Sequence, residues 1–166
     1  MTTGRQIDAL PLTSERFAPY GDVIETSAAD HEAMNSARFE RFQDLARIEF
    51  DDDGRPAISI ARCRAATTFP YSVDMLERHP KGSQAFVPMS GFRFVVVVAP
   101  AGESADADAI EAFVTNGHQG INYHTGTWHM PMVALEAGQE FLIVDRAGPG
   151  ANCEEFVLET PVMVSL

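Results

Sequence analysis

Glu77-Arg78-His79-Pro80-Lys81-Gly82-Ser83-Gln84, closing at Gly91, is the stretch on which the fold turns, and Asn122-Tyr123-His124-Thr125-Gly126-Thr127-Trp128-His129 is its counterpart later in the chain. Both couple strand-like sequence to turn residues, and together they carry three of the five histidines. Side chains two residues apart on a strand share a face, so Glu77 and His79 point the same way. Closure of the strands into a barrel would carry the remote His129 beside them.

Outward from these stretches, strands are expected at 70–77, 84–88, 92–99, 120–124, 127–135, 139–145 and 153–159, most of them short and punctuated by Gly, Pro or Asp. Many short strands at regular spacing predict an all-β sandwich or barrel. Asp51-Asp52-Asp53-Gly54 predicts a turn joining 46–50 to 57–63 as a hairpin, with Ile58, Ile60 and Arg62 on one face. Thr13 or Ser14 caps a short helical turn that ends before Pro19-Tyr20-Gly21-Asp22. Val23 opens an extended segment, and 27–43 reads as polar and irregular. Ala and Asp among spaced apolar residues predict a helix of two or three turns over 104–113.

The 166 residues fit one domain, 1–166, because a core of this size buries about 70% of the unfolded surface. A hydrophobic fraction of 45% and a net charge of −12 describe a folded globule that repels phosphate backbones and anionic lipid. Neither nucleic acid nor a membrane is an expected partner. An anionic ligand would need a few local cations. Cys63 and Cys153 have no metal-finger or redox spacing and read as small buried hydrophobes. The first residues lack an apolar signal core, and the longest apolar run is far below the ~20 residues of a membrane helix, so a cytoplasmic setting is expected.

The spacing Glu77-x-His79-x4-Gln84-x6-Gly91 is similar to the first cupin motif, with Glu77 in place of its first His and Gln84 in place of its Glu. His124-x-Gly126-x2-His129 is similar to the core of the second, with His124 where Pro is usual. Longer phrases, Leu76 to Pro88, Phe94 to Ala99, Asn116 to His124, Trp128-His129 and Val144 to Gly148, resemble the ureidoglycolate lyase family of allantoin degradation, formerly called ureidoglycolate hydrolases. Tyr20 to Glu25 and Arg41 to Ala46 extend the likeness over nearly the whole chain. Thr125, Met130 and Lys81 depart from the Arg, His and Leu usual in that family, which bears on the cationic clamp near the second motif.

The resemblance implies a cupin-type jelly-roll barrel with a few short helices, a homodimer, and cleavage of (S)-ureidoglycolate to glyoxylate and urea with nickel stimulation and no organic cofactor. Glu77, His79, Gln84 and His129 are the candidate metal ligands, imidazole and carboxylate suiting Zn, Ni, Fe or Mn and the neutral amide being the weak member. Elimination across the carbinolamide C–N bond needs a base at the hydroxyl and an acid at the departing nitrogen. His79 or His129 is the candidate for the first task and His124 or Tyr123 for the second. Arg41, Arg62 and Gln84 are the candidate substrate contacts, arginine offering a carboxylate two parallel donors. Two rival functions fit the same residues: a metal-dependent cupin oxygenase or isomerase, and a non-catalytic cupin that binds a small acid.

Overall fold

A computed structural model describes residues 4–27, 30–131 and 133–166. Among these residues, fifteen strands and one short helix follow in order: β1 Gln6–Asp8, β2 Leu10–Pro11, α1 Ser14–Phe17, β3 Gly21–Ile24, β4 Glu32–Met34, β5 Phe39–Arg41, β6 Arg55–Arg62, β7 Tyr71–Arg78, β8 Gln84–Pro88, β9 Phe94–Ala99, β10 Glu111–Val114, β11 Gly120–Tyr123, β12 Trp128–His129, β13 Val133–Ala134, β14 Glu140–Ala147 and β15 Glu154–Ser165. A 3-10 turn spans Ala107–Ala109. The larger sheet runs β1-β15-β7-β12-β9-β10-β2 with β13 also on β9, and faces a sheet of order β3-β11-β8-β14-β6. This is the cupin jelly roll that the sequence predicts.

The run Phe94 to Ala99 shows why hydrophobic alternation is hidden at the centre. Every residue of β9 is buried. Phe94, Val96 and Val98 enter the cluster between the sheets with Phe86, Ile121, Tyr123 and Phe141, while Val95, Val97 and Ala99 pack into a second cluster with Leu76, Ile110, Trp128 and Leu158. A strand covered on both faces carries no polar side, so its period is invisible in sequence.

Strand register sets the functional end of the barrel. Glu77 of β7 pairs with His129 of β12, which pairs in turn with Val98 of β9. Tyr123 of β11 pairs with Gln84 of β8 on one side and Gly21 of β3 on the other. Glycine is required at 21, where a Cβ would stand 1.9 Å from the Asn122 carbonyl oxygen.

Three expectations are corrected. The hairpin between 46–50 and 57–63 does not form: β6 pairs along all eight residues with β14, from Arg55↔Ala147 to Arg62↔Glu140. The predicted turn survives as Gly54 N–H donating to the Asp51 carbonyl, but 46–50 instead crosses beside the turn after His79, where Ser83 N–H donates to Glu49 O at 2.9 Å and Phe50 bridges Gly82. The long ladder satisfies more backbone groups than a five-residue local pairing could. The helix over 104–113 is replaced by the 3-10 turn and β10, because Glu111–Val114 complete the open edge of β9 and bury Ala112 and Phe113 on opposite faces. Residues 27–43 include a β4–β5 hairpin, and positions 28 and 29 of that span lie outside the described residues.

Candidate active site

Glu77, His79, Gln84 and His129 meet at the end of the inter-sheet space. The His79 and His129 ring centroids are 5.1 Å apart. His129 Nε2 stands 3.5 Å and His79 Nε2 3.8 Å from Glu77 Oε1, and His79 Nε2 lies 3.1 Å from Gln84 Oε1. His129 is 2% exposed, while Glu77 and His79 are half-buried.

Backbone carbonyls fix which ring nitrogens carry protons. His79 Nδ1 lies 2.6 Å from Asn152 O, and His129 Nδ1 lies 2.9 Å from Thr127 O. A carbonyl can only accept, so both Nδ1 atoms donate and both Nε2 atoms turn lone pairs inward. The Gln84 amide is oriented likewise, its Nε2 donating to Asp145 Oδ2 at 3.3 Å and leaving Oε1 toward His79. With both imidazoles neutral, four acceptors therefore converge without a donor among them. His129 Nε2 is accordingly a buried polar atom with no hydrogen-bond partner, an arrangement that costs about 1–3 kcal/mol unless a cation or donor enters.

The contact with His129 holds the Glu77 carboxyl below the usual carboxylate range despite the opposing effect of burial, and the positive charge that His129 and His79 carry when protonated adds to it. The Cys153 thiol, 3.6 Å away, donates to the second oxygen of Glu77. Burial, then the charge of Glu77, pushes the Tyr123 phenol well above the ordinary tyrosine value. Tyr123 stacks on His129 with centroids 4.1 Å apart and planes 12° from parallel.

The residues present fit a divalent metal. The nearest ligand atoms of Glu77, His79 and His129 all lie within 4.8 Å of one another. Bonds of about 2.1 Å around one ion place neighbouring ligand atoms about 3–3.4 Å apart, and Glu77 Oε1 stands 3.5 Å from His129 Nε2 and 3.8 Å from His79 Nε2. The donor set, two imidazoles and an ionised carboxylate with an amide oxygen beside them, is complementary to a cation, and its orphaned buried lone pair is what such an ion would satisfy.

Other predicted site residues lie elsewhere. Adjacent strand residues point to opposite faces, so Tyr123 faces the barrel interior and His124 the outside. There His124 Nε2 donates to Asp22 Oδ1 at 3.0 Å, beside a cleft of about 260 Å³ lined by Ser14, Asp22, Leu45 and others. Arg62 is exposed and paired with Glu140 at 2.6 Å, and Arg41 is exposed on the β4–β5 hairpin. Neither arginine makes a hydrogen bond or ion pair to the four-residue cluster among the described residues.

Sequence reasoning missed the supporting groups. Asn152 O and Thr127 O act through the backbone and leave no side-chain signal. Asp145 was legible only as a carboxylate inside an apolar strand. Cys153 is exposed rather than a buried hydrophobe, and Cys63 is half-buried, because the β14–β15 connection brings Cys153 to the surface beside Glu77.

With this geometry in view, the relatives are informative. The profile of the ureidoglycolate lyase family matches residues 4–165. The ureidoglycolate lyase of Pseudomonas savastanoi pv. phaseolicola is 46% identical over 162 residues, covering 96% of this chain and 95% of that protein. The chain belongs to the ureidoglycolate lyase family. A further member, from Pseudomonas fluorescens strain SBW25, is 50% identical over 150 residues, 90% of this chain and 89% of its own. The ureidoglycolate lyase of Pseudomonas putida strain W619 is 46% identical over 157 residues, 94% and 93% respectively. Likeness over such spans includes every strand that builds the cluster.

Proposed function

We propose that the chain cleaves (S)-ureidoglycolate to glyoxylate and urea, in the degradation of allantoin, at the cluster formed by Glu77, His79, Gln84 and His129. The observation that carries this reading is the convergence of four acceptors around a buried, unpartnered imidazole nitrogen, a state that a cation and a hydroxyl-bearing substrate would relieve.

In the elimination, the hydroxyl proton leaves, its electrons form the aldehyde C=O, the C–N bond breaks, and the ureido nitrogen takes a proton. No water is consumed. His79 is the base in this scheme, since its side chain is 15% exposed against 2% for His129 and its Nδ1 is tied to Asn152 O, which keeps Nε2 free to accept. Glu77 and His129, two of the three groups whose ligand atoms lie within 4.8 Å of one another, would hold the ion together with the Gln84 oxygen and leave the third, His79, to the substrate; nickel is the first choice by family likeness. When bound, the metal supplies Lewis acidity toward the substrate's hydroxyl and carboxylate oxygens. Tyr123 is the proton donor to the ureido nitrogen in preference to His124, because it stacks on His129 and is kept protonated beside Glu77, whereas His124 is engaged by Asp22 on the other face. Arg41 and Arg62 would reach the substrate only by leaving their present positions, and Arg62 would also have to leave Glu140.

The acidic chain disfavours nucleic acid as a partner, and among the described residues no helix is long and apolar enough to cross a membrane. A cytoplasmic homodimer completes the reading. Its contact is the outer face of the five-stranded sheet, where Ile58 and Ile60 are 73% and 59% exposed opposite Val144 and Leu142.

The test is incubation of the protein with ureidoglycolate, with and without chelator, followed by separate assay of glyoxylate, urea and ammonia. Equimolar glyoxylate and urea are expected, reduced by the chelator and restored by Ni²⁺. Ammonia as the nitrogen product, or no glyoxylate at all, overturns the reading.

A further inference from the structure

The acceptor cluster depends on one choice that its own members do not make. Glu77 presents two equivalent oxygens, and the imidazoles are fixed by backbone carbonyls. Gln84 alone has two unlike ends, an oxygen and an NH2 of nearly the same shape. Rotating the amide by half a turn would place its NH2 where Oε1 now stands, 3.1 Å from His79 Nε2. That NH2 would donate to the free lone pair. The flipped amide would therefore be the better satisfied state of an isolated Gln84–His79 pair, and it would remove an oxygen from the ion site and occupy the base in one movement.

Asp145 opposes this. It lies on β14, the neighbour of β8, one residue beyond the Val144↔Ala85 pairing, so its side chain shares the inner face with Gln84. Its carboxylate can only accept, and Oδ2 lies 3.3 Å from Gln84 Nε2. In the flipped orientation the amide oxygen would face a carboxylate across that distance, an acceptor opposed to an acceptor. We propose that Asp145 is a positioning residue that holds the Gln84 amide with its oxygen toward the cluster, and so keeps both the ion site and the His79 lone pair open. The inference rests on the reading of the cluster as a metal-binding catalytic site, and it assigns to a residue outside the cluster the decision of which state that site adopts.

A field effect of the Asp145 charge on a nearby cation would also favour metal binding, and a double-mutant cycle separates the two. Asp145→Asn nearly preserves shape but removes the penalty on the flip. Ni²⁺ binding measured by calorimetry on metal-free protein should weaken about tenfold or more, the usual size for groups that orient a metal's ligands. In a Gln84→Glu background the side chain at 84 has no wrong end, and two carboxylates then face one another, so the same Asp145→Asn change should leave Ni²⁺ affinity unchanged or raise it. A charge acting only through space would weaken binding in both backgrounds. Nitrogen NMR of the imidazoles in metal-free Asp145→Asn protein gives a readout that needs no ion: the His79 Nε2 resonance should shift as it accepts a hydrogen bond, while His129 stays put. Equal losses in both backgrounds, affinity in Asp145→Asn within about twofold of wild type, or a His79 resonance that does not move each overturn the proposal. Ni²⁺ binding that survives His129→Ala, or that wild type lacks altogether, breaks the underlying reading of the cluster, and the inference falls with it.

Discussion

His129 beside Glu77 and His124 beside Asp22 are both imidazole–carboxylate pairs, in opposite states of satisfaction. On the outer face of the smaller sheet, Asp22 takes a hydrogen bond from His124 at 3.0 Å and two more, at 2.9 Å each, from the Arg47 N–H and the Asn122 amide. Burial alone would raise its pKa, yet those hydrogen bonds hold it below the usual aspartate range. At the mouth of the barrel, Glu77 faces imidazole nitrogens that have already placed their protons on backbone carbonyls. Both Asp22 oxygens meet donors, and the unpartnered atom of that network is the buried Asn122 Oδ1; a carboxylate so paired contributes stability, while a cluster composed of acceptors stores a deficit that an incoming cation or hydroxyl can fill. The first pair builds the protein and the second waits for a ligand.

The sharpest way to break this contrast is to truncate each histidine in turn. His129→Ala should lower turnover about 100-fold or more, whereas His124→Ala should keep it within about threefold; steady-state kinetics on ureidoglycolate decide, and comparable losses would place both pairs in the mechanism. Next in size is Asp22→Ala, which strands the donors of Arg47, Asn122 and His124 and should cost about 1–3 kcal/mol in chemical denaturation with little change in kcat.

The same residue predicts a pH dependence. Because the folded pKa of Asp22 lies below its unfolded value of about 4, its contribution is complete above that pH and is lost as pH falls through the lower folded value. Wild type should therefore lose stability below about pH 4 more steeply than Asp22→Ala. Parallel acid-unfolding curves would separate Asp22 from the stabilising network.

Next is Glu77→Gln, whose NH2 can donate to the buried His129 Nε2 but offers no charge to an ion, so Ni²⁺ affinity should fall about tenfold or more in calorimetry. Affinity equal to wild type would remove Glu77 from the ion site. The smallest effect is expected at the turn that links the two regions: Gly126 has φ +81° with ample space around it, so Gly126→Ala should cost about 1 kcal/mol through backbone strain alone.

The legible part of the fold was the part written locally. Strand-forming runs at 84–88 and 94–99 and the turn at 51–54 follow from residue type within a few positions. The partner of β6 did not, because Ile58 and Ile60 suit either a near neighbour or β14 more than eighty residues on, and only the closed sheet chooses. The helix expected over 104–113 failed for the same reason, since Ala112 and Phe113 found a strand edge to complete. At the site, strand alternation already forbade Tyr123 and His124 from facing one cavity, a signal present in the sequence and outweighed by their shared motif.

From sequence alone came the donor types, the two-residue spacing that aims Glu77 and His79 together, and the motif that calls for His129; these depend only on covalent order and the period of a strand. Tertiary structure decided that His124 turns to Asp22, that Thr127 O and Asn152 O claim the Nδ1 protons, and that Asp145 faces the Gln84 amide. Each is a hydrogen bond between groups that strand pairing or chain reversal brings within about 3 Å, a distance that no residue fixes until the barrel closes.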